Sequence, residues 1–132
     1  PSSLYSPCWQ SPALNPTTLF FGTGAWWMTS NTIVGYTGTA PITVDSWDAT
    51  RYRSTVYVVQ VSDTANLTFQ ASQFIFLHDG TNVFKTEYGI ITSRGQMGVF
   101  DATLSGSTVS VTFTPTAATR KDIRIMHGSL GI

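Results

Sequence analysis

His78 and Asp79 stand side by side at the end of Phe74-Ile75-Phe76-Leu77 and just before Gly80. A histidine next to a carboxylate is the pairing that general acid–base catalysis uses. Glu87 and His127 supply further titratable groups, and Cys8 is the single thiol. Chemistry at a metal would need three or four such ligands converging from separate elements. Two histidines, one cysteine and a few carboxylates show no metal-ligand spacing here. No nucleophile elbow, phosphate-binding glycine loop or H-E-x-x-H helix occurs. The competing reading is structural: Asp79 holds a turn through its side chain, and His78 closes a strand. That reading is preferred, so no catalytic, cofactor-binding or metal residue is assigned. Convergence of His78, Asp79 and Glu87 in one pocket would reverse it.

The stretch that must position these groups runs from Arg51 to Gly89 and reads as three strands. Side chains alternate along a strand. Arg53, Thr55, Tyr57, Val59 and Val61 therefore share one face, and Ser54, Val56, Val58 and Gln60 the other. After a break at Ser62 to Asn66, strand character resumes from Leu67 to His78, with Phe74, Phe76 and His78 on one face and Ile75 and Leu77 opposite. Asp79-Gly80 is a hairpin signal, because glycine accepts positive φ without steric cost. The chain returns through Val83, Phe84, Thr86 and Tyr88.

Around this centre, Leu19 to Thr29 is the most aromatic stretch, with Gly22-Thr23-Gly24 turning between two short strands. Ile33, Val34 and Tyr36 suggest another short strand, and Ile42 to Trp47 leads into a turn at Asp48-Ala49-Thr50. Met97 to Leu104 is a strand, Ser105-Gly106-Ser107 a turn, and Thr108 to Thr114 alternates cleanly before Pro115 stops it. Asp122 to His127 is the last strand, followed by a tail, Gly128 to Ile132, with apolar residues at its end. Asp101 and Glu87 read as solvated or as partners of Arg51, Arg53, Arg94 or Lys85. No ten-residue window sustains helical spacing. Short strands with turn signals every 8 to 12 residues predict an all-β fold, a single antiparallel β-sandwich of jelly-roll-like type or a small barrel.

The 132 residues suggest one domain, large enough to bury a core without disulfides. Cys8 alone makes no intrachain disulfide. Residues 1–18 differ from the rest. They hold four of the six prolines and read as an extended arm, with 19–132 as the sandwich. Leu4, Tyr5, Trp9 and Leu14 make this arm too apolar for a free one, so it is expected along a neighbour or along its own domain.

Charged residues are 11% of the chain and net charge is zero, which leaves little to keep copies apart. The composition points to a protein inside an assembly rather than a lone monomer. Basic residues do not cluster, which argues against nucleic acid as a partner. No apolar run is long enough for a membrane span. The N-terminus shows no signal-peptide pattern, and Pro1 fits either a trimmed methionine or a processed precursor.

The succession RYRSTVYVVQVSD, FIFLHDGTNVFKTEYG, GVFDATLSG, VSVTFTP and IRIMHG resembles a module of tailed-bacteriophage structural proteins, particularly those of cyanophages. The resemblance spans residues 45–127, about two thirds of the chain, and leaves 1–44 unmatched. It implies a β-sandwich in the virion, made in the host cytoplasm, without catalytic residues or cofactors, and assembling with copies of itself and other virion proteins.

Two assignments follow. As a capsid-surface (decoration or cement) or tail- or neck-associated component, the chain would form a homo-oligomer and grip neighbours through Leu4, Tyr5, Trp9, Trp26, Trp27, Leu130 and Ile132. Adjacent tryptophans in a strand place one ring on each face, so one of Trp26 and Trp27 is left for an interface, the surface or a glycan. As a carbohydrate-binding module of a tail fibre, it would present an exposed platform of Tyr36, Trp47 and Asp48 to a host glycan. Trp47 packed inside the domain would argue against that platform.

Overall fold

The computed structural model describes residues 18–20 and 26–132, with side chains from Thr29 onward. Among the described residues the strands are β1 (Thr18–Phe20), β2 (Trp26–Tyr36), β3 (Ile42–Asp48), β4 (Tyr52–Asp63), β5 (Thr68–His78), β6 (Val83–Thr92), β7 (Gly98–Ser105), β8 (Thr108–Pro115) and β9 (Lys121–Gly131). They form a six-stranded sheet, β1-β2-β9-β4-β5-β6, packed on a three-stranded sheet, β3-β8-β7. Every pairing is antiparallel. The all-β sandwich expected from the alternation is the fold observed.

Its winding is that of a jelly roll in one half. β2 pairs β9 in one sheet while β3 pairs β8 in the other, so the ribbon wraps around the core. The other half departs from it: β4, β5 and β6 meander within the large sheet, and the chain crosses to the small sheet only before β7.

The core is built by the alternating faces. Tyr57, Val59 and Val61 of β4, Phe74 and Phe76 of β5, and Ile123 and Ile125 of β9 face Phe100, Val109, Val111 and Phe113 of the small sheet. Tyr57, Phe74, Phe76, Phe100 and Phe113 form a continuous aromatic chain with ring centroids 4.7–5.7 Å apart, a spacing that adds ring–ring attraction to burial. At Gly98, β7 leaves no room for a side chain beside its neighbour β8. A Cβ there would overlap the Phe113 ring and sit 2.5 Å from the Thr114 carbonyl oxygen.

Three local departures from the sequence pattern matter. β2 is one long strand through Tyr36 rather than short pieces, because its partner β9 runs alongside it. Leu67 is not a strand residue: it takes φ +51° in the turn that returns from β4 to β5, with its N–H on the Thr64 carbonyl at 3.3 Å. The C-terminal residues 128–131 are not a loose tail. They are the end of β9, between β2 and β4, and the Ile132 N–H bonds the Arg51 carbonyl at 3.1 Å. Their backbone is committed within the domain and cannot clasp a neighbour as a free tail would.

Candidate functional site

A β-bulge creates the polar site. Thr43 pairs Thr112 and Asp45 pairs Val111, so Val44 is the extra residue and two successive side chains turn inward. A bulge re-aims the side chains that follow it. Here it carries Asp45 from the expected alternation onto the inner face, opposite Tyr57 and His127. The Tyr57 hydroxyl donates to Asp45 Oδ2 at 2.9 Å. The same oxygen accepts from His127 Nδ1 at 2.5 Å. A carboxylate offers only lone pairs to a ring nitrogen, which makes Nδ1 the protonated nitrogen. Burial, followed by the Asp45 charge, pushes the Tyr57 phenol far above its usual range, so it stays a donor.

Above this triad lies an open cleft of about 350 Å³ lined by Thr29, Asp45, Ser46, Trp47, Asp48, Arg51, Tyr52, His127 and Ser129. Behind it, Ser129 and Thr55 share a buried hydrogen bond of 3.0 Å. The rim is charged: the Asp48 carboxylate is held below its ordinary range by the Thr50 hydroxyl, with help from the Thr50 N–H and Arg51. The Arg51 guanidinium lies over the Tyr52 ring at 5.6 Å, a cation–π contact. The arrangement can accept and donate hydrogen bonds to a polar ligand. Among the described residues, no group of three or more His, Cys, Asp or Glu side chains is placed to hold a metal ion.

Trp47 does not form an exposed platform. It is 6% exposed, tilted against His78 with centroids 5.6 Å apart, and its Nε1 is buried without a partner among the described residues. Inward packing of the Trp47–Val109 pair explains this. Tyr36 lies seven residues along β2 from Thr29, about 23 Å at strand rise, and its hydroxyl donates to the Ala40 carbonyl at 2.6 Å. Tyr36, Trp47 and Asp48 are therefore not brought together, and the stacking platform they were expected to form is absent.

His78 and Asp79 keep structural roles. Asp79 Oδ1 accepts the N–H groups of Thr81 at 2.9 Å and Asn82 at 2.7 Å, and these bonds, that to Asn82 foremost, hold its carboxyl below the usual range. The turn is a four-residue loop with Gly80 at φ +95°. The Gly80 N–H donates to His78 Nδ1 at 3.1 Å, and His78 Nε2 meets the Tyr52 carbonyl at 2.8 Å. A backbone N–H only donates and a carbonyl only accepts, so the ring is held as the Nε2–H tautomer. Glu87 is exposed on β6 opposite Phe74, while His78 pairs with Val83 four positions away. Asp101 is exposed and accepts the Ala102 N–H, the solvated alternative of the two expected of it, and Lys85 donates to the Phe100 carbonyl at 2.7 Å instead of pairing with it.

Of the expected interface residues, Leu130 and Ile132 are about half and two thirds exposed. Trp26 and Trp27 stand in β2 opposite Leu130 and Ser129, with side chains outside the described set. Leu4, Tyr5 and Trp9, and the arm except Thr18, lie outside the described residues. The alternation reading did not find Asp45, because a bulge leaves no mark on it.

A second polar pocket, of about 280 Å³, lies between the β4–β5 turn and the segment before β9. Lys121 is buried there, donating to the carbonyls of Ala117 and Thr119, each at 2.5 Å. Burial lowers its pKa while the Asp63 charge opposes the shift.

No protein-family model matches the chain, and no curated protein matches it. Among solved structures, it is similar to the tailspike protein of Acinetobacter baumannii phage AM24, with 10% identity over 80% of this chain and a TM-score of 0.48. It is similar to the tailspike protein of Acinetobacter phage vB_ApiP_P1, with 15% identity over 87% of this chain and a TM-score of 0.46. It is also similar to tailspike gp49 of Acinetobacter baumannii bacteriophage Fri1, described as a capsular polysaccharide depolymerase, with 9% identity over 89% of this chain and a TM-score of 0.47. The chain spans 25%, 23% and 20% of those proteins, respectively.

Proposed function

We propose that this chain is a structural module of a bacteriophage virion, on the capsid surface or in the tail or neck, that works by burying surface against copies of itself and other virion proteins. The observation that carries the reading is the ordered series of phage-module motifs across residues 45–127, which fall on β4 to β9. The low charge of the chain supports it as well, since an assembly component needs no charge to hold copies apart. The segment read as an arm over 1–18 ends before β1, where Thr18 pairs with Thr29, and residues 1–17 act as an arm that adds contact area. Ordering such a segment costs about 1–2 kcal/mol per residue, which large side chains such as Tyr5 and Trp9 offset. The test is mass spectrometry and immunogold labelling of purified particles of the encoding phage. Stoichiometric copies in the particle are expected. Presence in the lysate and absence from particles would refute the reading.

A second reading, a carbohydrate-binding host-attachment module, is favoured by the polar cleft at Asp45, Asp48 and Arg51. With Trp47 buried, recognition would run through hydrogen bonds. Glycan-array binding that disappears in Arg51→Ala with folding intact would support it, and an array with no binding would end it.

A further inference from the structure

The two outer faces of the sandwich obey different rules. On the three-stranded sheet the outward positions include Thr43, Ser46, Asp101, Thr103, Ser110 and Thr112, the polar exterior usual for an antiparallel sheet with one solvated face. The six-stranded sheet does not follow. The register sets Leu130, Ser54, Leu77 and Phe84 in one row across four strands, and Met126, Val58 and Gln73 two rows below. Val58, Leu77, Phe84, Ile91, Met126 and Leu130 are each 40–76% exposed. Among the described outward positions of this sheet the only charges are Asp122 and Arg124, of opposite sign on one strand.

The face is large enough to matter. Five strands at about 4.8 Å and five outward rows at about 6.8 Å give a projected area on the order of 800 Å². A stable complex buries about 800 Å² per partner, so the face as a whole, its apolar rows flanked by Ser54, Gln60, Gln73 and Arg124, is of the size such a contact needs.

We propose that this face is the contact between two copies of the chain, stacked sheet on sheet about a two-fold axis. The exposed Leu130, Leu77, Phe84, Val58 and Met126, set between polar Ser54 and Gln73, are matched by a face of the same mixed pattern, and among the described residues the one available is its own. A two-fold contact is self-complementary. With net charge zero and only an opposite-signed pair on the face, copies meet no electrostatic barrier. Two sheets in face-to-face contact pack about 10 Å apart. This deepens the assembly reading by naming the surface. It can fail on its own, because it concerns mass in solution and not presence in particles.

The experiment is sedimentation equilibrium of the full chain and of Val58→Lys/Leu77→Lys, with Val99→Lys on the opposite sheet as control. All three sites are exposed, so circular dichroism should be unchanged throughout. The wild type and the Val99 variant should run at twice 14.4 kDa, or at a larger even multiple. The double variant should associate at least 100-fold more weakly. A wild type that stays monomeric overturns the proposal, whether it floats with lipid vesicles or becomes dimeric only after residues 1–17 are removed. A double variant of unchanged mass overturns it too.

Discussion

Asp45 Oδ2 accepts a hydrogen bond from His127 Nδ1 at 2.5 Å, joining the two sheets across 82 residues of sequence. The same oxygen holds the Tyr57 hydroxyl, so one carboxylate satisfies two donors at the mouth of the core. Removing it strands both. Asp45→Ala should lower unfolding free energy by about 3 kcal/mol, since buried groups left without a partner carry their full desolvation cost. Asp45→Asn keeps an acceptor and should lose less. Tyr57→Phe removes one bond and one donor together and should lose about 1 kcal/mol. Urea denaturation of the three variants decides the order.

Trp47 packs against His78 inside the domain. Trp47→Ala should cost about 3–5 kcal/mol as a large-to-small core change, visible as a fall in thermal midpoint. Selective loss of a binding activity with stability intact would show that the ring is not a core element.

Gly98 has no room for a side chain against Phe113 and Thr114. Gly98→Ala should destabilise by about 1–3 kcal/mol through overpacking. Gly106→Ala would meet no atom within 4 Å but places a Cβ at φ +61°, so it should lose about 1–2 kcal/mol from backbone strain alone. Chemical denaturation of the pair separates the two mechanisms.

Leu67 sits exposed at φ +51°, where a non-glycine residue is strained. Leu67→Asn should stabilise by about 0.5–1 kcal/mol, because asparagine tolerates the left-handed region. An unchanged urea midpoint would mean that the turn relaxes around leucine.

The acid limb of stability should trace to turn carboxylates. Hydrogen bonds from Asn66 and Thr119 hold the Asp63 carboxyl below the ordinary carboxylate range, and Asp79 is held low by the Asn82 and Thr81 N–H groups. A carboxyl whose folded pKa is depressed stabilises the fold above its unfolded pKa, and that contribution is lost as pH falls through the folded value. Stability should therefore drop on acidification below about pH 4. The drop should be shallower in Asp63→Asn/Asp79→Asn, measured by thermal melts between pH 5 and pH 2.

The alternation made most inner faces of β4, β5, β7 and β8 legible. Val109, Val111 and Phe113 alternate with threonine and serine, and a period of two can only put one set inside a sandwich. The Asp79-Gly80 turn was equally legible, because its bonds are local. What the tertiary structure decided are the relationships without a local signature. The bulge at Val44 re-aims Asp45, a one-residue event that composition does not mark. Its partner His127 comes from the last strand, whose length is set by pairing with both β2 and β4 and not by its own pattern. The identity of the two outer faces was likewise undecided. Val58 and Leu77 read as the back of their strands, and only the unequal width of the two sheets and the register of β9 gather them into one apolar surface.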